Sequence, residues 1–171
     1  MGTGRVLTTV GLAVIAVAIV AVLVANTGAP SNLVLTPDGL RVPQTLAGSP
    51  LVVSARGVGA LREIARLHGK RIDATDAVVA RYDNGITLWI SQSPTALAAS
   101  SLLWRMNRRM AGGTEVFSTP EPKQVHNRTV FVTTGLGQRH IYYQSERRVL
   151  WVAAPAPLAE TAADELLAIY P

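Results

Sequence analysis

The 171-residue chain has no cysteine. That excludes thiol catalysis, Cys-ligated zinc, iron–sulfur clusters and lipid attachment through a thiol, and it leaves no disulfide to staple an exported fold. Histidines are scarce: His68, His126 and His140, none in HxxxH or HExxH spacing. A metal site would need all three to converge, or two of them with a carboxylate or a methionine, such as His68 and His140 with Met106 and Met110, which stand one helical turn apart. Core packing of the two methionines and a helix-end role for His68 account for the same residues. Serines offer no nucleophile motif. Ser54, Ser91, Ser93 and Ser145 stand in neither G-x-S-x-G nor S-x-x-K. Gly57-Val58-Gly59 lacks the third glycine of a dinucleotide fingerprint and the lysine of a P-loop, so it reads as a turn into a helix. Asp73 and Asp76 read as turn residues.

One long apolar run is present. It opens at Val6, closes at Ala25 and carries no charge. Twenty residues give about 30 Å of helix, enough to cross a hydrocarbon core. Arg5 precedes the run and no charge follows until Asp38, so the amino terminus is expected in the cytoplasm and the rest outside. A cleaved signal peptide is the competing reading. Against it, the run exceeds the usual apolar region of about 7–15 residues, Leu23 spoils cleavage after Ala25, and Pro30 follows Ala29. The expected organisation is a transmembrane signal-anchor over 1–25, a flexible linker rich in Pro, Gly, Ser, Thr and Asn over 26–50, and an extracytoplasmic domain over 51–171. Formal charge is +5, and with Arg5 inside, 15 basic and 11 acidic residues remain outside. That excess suits a surface near anionic lipid or polymer.

Within the domain, Leu61, Ile64, Ala65 and His68 make one stripe of a helix over 57–68. Asp83-Asn84-Gly85 joins two strands, 77–82 and 86–91. Ser93-Pro94 reads as the start of a second helix, with Ala99, Leu102, Leu103, Met106 and Met110 as its apolar face. A short strand is expected at 115–118, a polar loop at 120–127, a three-strand meander at 129–134, 139–144 and 148–154, and a closing helix at 158–169. The fold class expected is therefore α+β: an amino-terminal transmembrane helix, and an antiparallel sheet covered on one face by about three helices. The succession LHGK, VARY, LWIS, GQRHIYYQS and VLWVAA resembles uncharacterised bacterial domains carried outside the membrane on a single helix. That resemblance implies the architecture and carries no activity.

Strand alternation puts His140, Tyr142 and Gln144 on one face, opposite Ile141 and Tyr143. If Ile141 points to the core, this polar–aromatic row, joined by Trp89, lies on an open sheet face suited to a glycan, peptide or protein partner. A half-wet sheet with amphipathic rim residues is the plainer account. Arg105, Arg108 and Arg109 lie off the apolar stripe of the second helix as a basic surface, read either as phosphate docking or as a solvated face. The function expected is a membrane-tethered extracytoplasmic module, non-catalytic, that binds or assists an envelope partner. The alternative is a small extracytoplasmic metal-handling protein or enzyme using His68 or His140 with a nearby carboxylate. No cofactor is expected. The partners expected are the bilayer through the run from Val6 to Ala25, and an envelope protein or anionic polymer, with no nucleic acid.

Overall fold

The computed structural model describes residues 39–68 and 72–171. The apolar run from Val6 to Ala25 lies outside them, and with it the anchor expectation. Among the described residues no helix is long and apolar enough to cross a membrane.

Eight strands form one sheet: β1 (Thr45–Leu46), β2 (Ser49–Arg56), β3 (Asp76–Tyr82), β4 (Thr87–Gln92), β5 (Glu121–Val125), β6 (Arg128–Gly135), β7 (Gln138–Ser145) and β8 (Arg148–Ala154). Their order is β1-β2-β3-β4-β8-β7-β6-β5, and every neighbouring pair is antiparallel. Tight turns close the hairpins. His126-Asn127 and Leu136-Gly137 both have positive φ, the combination that lets a two-residue loop follow the twist of its strands. Among the described residues there are three α-helices, α1 (Val58–His68), α2 (Ala96–Met110) and α3 (Ala156–Ile169), and one 3-10 turn at Asp83–Gly85. Thr95, not Ser93, caps α2, its Oγ1 accepting from the Ala98 N–H at 3.1 Å.

The helices do not share a face, which overturns the expected one-sided sheet. On one side α3 buries Ala159, Ala162, Ala163, Leu166 and Leu167 against Val78, Leu88, Ile90, Ile141, Tyr143, Leu150 and Val152. On the other, α1 packs Ala60 and Ile64 on Ala77 and Val79, and α2 packs Ala99 and Leu102 on Val149. Successive residues of β3 and β8 are therefore buried on opposite faces, as a sheet sandwiched between helices requires.

Two further expectations change. The stretch read as linker over 26–50 belongs in part to the domain: Leu40, Val42 and Leu46 lie in the main core. Polar contacts pin the same segment. Tyr170 Oη accepts from the Arg41 N–H and donates to the Arg41 carbonyl, and Tyr82 Oη donates to Pro43 O at 2.9 Å. The strand expected at 115–118 is a single bridge between Phe117 and Gly135, while the loop expected at 120–127 contains β5. At the opposite edge, β1 pairs with β2 only at Ser49 and Pro50, and Val52 and Val53 stand 67 % and 50 % exposed.

Candidate functional site

Trp89, His140, Tyr142 and Gln144 occupy the sheet face that carries α1 and α2. Register brings Phe131, Tyr142, Trp151 and Trp89 into one row across β6, β7, β8 and β4. Tyr142 stacks on Trp151 with ring centres 4.4 Å apart and planes 6° from parallel, and on Phe131 at 5.5 Å. Trp151 and Phe131 as members, and Phe117 as a covering residue, are what reading strands one at a time does not reveal. The first two are found only when register is known, since they sit opposite Tyr142 on neighbouring strands.

This row is not an open face. Tyr142 is fully buried and His140 is 3 % exposed. The covering elements are α2 and the segment after it. Tyr142 Oη donates to Asn107 Oδ1 at 2.6 Å. Gln144 holds the start of α2: its Nε2 donates to Ala96 O at 3.1 Å and its Oε1 accepts from Ser100 Oγ at 2.9 Å. Trp89 packs into the α1 cluster with Ala60, Ile64, Ala77 and Val79. The polar–aromatic row is thus the seat on which the chain docks its own helices.

His140 is closed to other chemistry by its hydrogen bonds. Trp151 Nε1 donates to its Nδ1 at 2.9 Å, which fixes the proton on Nε2, and Nε2 donates to Gly135 O at 3.0 Å. Burial lowers its pKa, opposed by the Gly135 carbonyl, so the ring is held neutral. Phe117 meets it edge-on at 5.0 Å and also touches Trp151. A Cβ on Gly135 would collide with the Phe117 ring and the Val116 carbonyl oxygen, so glycine there is what admits the cover. With both nitrogens taken, His140 has no lone pair for a metal.

The remaining candidates stay apart. His68 ends α1, its Nδ1 bonded to Ile64 O at 2.8 Å. His126 is exposed on the β5–β6 turn, 3.7 Å from Asp164. Met106 packs with Ala99, Leu102 and Val149, and Met110 is buried at the end of α2. Among the described residues, no three His, Cys, Asp or Glu side chains are placed to hold a metal ion. Ser145, in a depression lined by Arg41, Arg148 and Tyr170, spends its hydroxyl on Pro171 O at 2.8 Å.

No protein-family model, curated protein or solved structure matches this chain.

The outside of α2 is an exposed surface. Arg105, Arg108 and Arg109 are exposed there, as are Leu97 and Trp104. The Arg108 guanidinium lies 5.2 Å above the centre of the Trp104 ring. Trp104 was legible as a position off the apolar stripe of α2, seven residues after Leu97 and four before Arg108.

Proposed function

We propose that this chain is a membrane-tethered extracytoplasmic binding module with no catalytic group of its own. The observation that carries the reading is the state of His140. The candidate with the richest surroundings is locked neutral between Trp151 and Gly135, and its neighbours Tyr142 and Gln144 are spent on seating α2. Groups consumed in this way hold a scaffold together, and the surface left to recognise a partner is the outer side of the helices. The tether is the uncharged run from Val6 to Ala25, whose length and lack of charge suit a bilayer, with Arg5 setting its direction.

The test is cell fractionation of the intact chain, alkaline washing of the membranes, and external protease applied to cells stripped of their wall. The expected result is a protein that resists the wash, keeps its residues before Ala25, and loses its carboxyl-terminal domain to the protease. A mature chain starting beyond Ala25 refutes the tether, and a domain protected until the cells are lysed refutes its extracytoplasmic placement.

A further inference from the structure

The helices differ in charge, although on the α3 side Arg139 pairs with Glu160 and His126 lies near Asp164. α3 carries Glu160, Asp164 and Glu165 and no basic residue. On the opposite face, α1 and α2 carry Arg62, Arg66, Arg105, Arg108 and Arg109 against a single acid, Glu63, which is bonded to Arg81. α2 itself has no acidic residue.

The outward stripe of α2 runs Leu97, Ser101, Trp104, Arg105, Arg108, at offsets of 0, 4, 7, 8 and 11, with Arg109 beside it. Leu97 is 79 % and Trp104 58 % exposed. Among the described residues no ion pair engages the three arginines. Trp and Arg also occur in protein interfaces, but there they surround a fully buried apolar core. Here Leu97 stands near the amino-terminal end of the stripe, Trp104 in its middle, and the three arginines cluster toward its carboxyl-terminal end. That is the pattern of a helix lying in the headgroup region, where Trp and Leu enter the acyl boundary and arginines stay hydrated beside phosphates.

We infer that the outer face of α2 docks on an anionic phospholipid bilayer, with Trp104 and Leu97 inserted at the headgroup boundary and Arg105, Arg108 and Arg109 on lipid phosphates. The inference rests on the tethered reading above. Thirteen residues separate Ala25 from Gly39, and covalent geometry caps their span at roughly 45 Å. A run held in the bilayer therefore keeps the domain at high effective concentration over the lipid surface, where a weak contact suffices.

The experiment uses the full chain reconstituted in vesicles of phosphatidylcholine alone, or with phosphatidylglycerol added, each made with acyl-brominated lipid as a quencher of tryptophan fluorescence. Subtracting the Trp104→Phe variant isolates the Trp104 signal from Trp89 and Trp151. Trp104 is expected to be quenched in the anionic vesicles and not in the zwitterionic ones. The quenching should vanish at high salt and in the triple variant Arg105→Gln, Arg108→Gln, Arg109→Gln, and should survive in the matching triple lysine variant. Circular dichroism confirms that each variant is folded. A chain that fails to float with vesicles after alkaline washing refutes the tether. A chain that floats while Trp104 goes unquenched in anionic vesicles refutes the α2 inference alone. Equal quenching in both vesicle types, or quenching untouched by the glutamine variant, also overturns it. Binding of a soluble polyanion with no lipid quenching overturns it in favour of a polymer ligand.

Discussion

Removing Tyr142 separates a structural row from a binding row. The side chain is fully buried, stacked between Trp151 and Phe131, and its hydroxyl donates to Asn107. Tyr142→Ala deletes a ring from a packed core, a change that costs ~3–5 kcal/mol, and it also forfeits two stacked contacts of ~0.5–1.5 kcal/mol each. These contributions overlap, so the expected loss is about 4 kcal/mol, a large part of the ~5–15 kcal/mol that holds a domain folded. Tyr142→Phe keeps the ring and loses only the hydrogen bond to the partly exposed Asn107, for ~1 kcal/mol. Urea unfolding followed by circular dichroism reads both values. A double-mutant cycle of Tyr142→Phe with Asn107→Ala should return a coupling of about 0.5 kcal/mol or more, because the two groups are in direct contact. If Tyr142→Ala costs under ~1 kcal/mol and the cycle shows no coupling, the seat is wrongly assigned and the row is the open surface that strand alternation alone suggests.

Three further outcomes are expected. His140 has a folded-state pKa below the ordinary 6.5 because of burial, so its contribution is complete above that pH and is lost as pH falls, at no more than about 1.4 kcal/mol per unit. His140→Gln should remove that component from the stability–pH curve, and a curve of unchanged shape would refute the assignment. Gly135→Ala should lower stability by ~1–3 kcal/mol in chemical denaturation, because the new methyl meets Phe117 and the backbone of Val116; a neutral result would mean that the cover is loose. Leu136 is exposed at φ 53°, a conformation that suits asparagine better. Leu136→Asn should therefore raise the melting temperature, with a gain of about 1 kcal/mol, and no gain would show that the turn is unstrained.

The alternation of β4 and β7 and the helical stripes of α1, α2 and α3 were legible because each follows from a local period of side chains. The side of the sheet each helix takes was not, since an apolar stripe says only that a helix is covered. A signal was nevertheless present: Ala77-Val78-Val79-Ala80 and Val149 to Ala154 are almost unbroken apolar runs, as strands buried on both faces must be. β5 left no trace, because Glu121, Pro122, Lys123 and Gln124 are exposed edge residues joined to the sheet by backbone pairing. Leu40, Val42 and Leu46 were hidden among prolines and glycines that read as a linker. The row was found by parity and misjudged in exposure, because the residues that cover it, Asn107 and Phe117, approach from elsewhere in the chain.

The segment from Leu40 to Ala47 also decides where the domain carries mechanical load. Tension entering from the amino-terminal side reaches Arg41, which is clasped by Tyr170 from 129 residues further along the chain. It next reaches Pro43, whose carbonyl accepts from Tyr82 of β3 at 2.9 Å, and beyond β1 it reaches Ala47, whose N–H is held at 2.9 Å by Glu165 of α3. Traction on one end of the polypeptide is thus handed to its last helix and the core beneath, while the lone two-residue strand β1 carries little of it. A membrane tether attached there would load contacts to both ends of the domain's sequence, Tyr82 of β3 and the carboxyl-terminal helix, together.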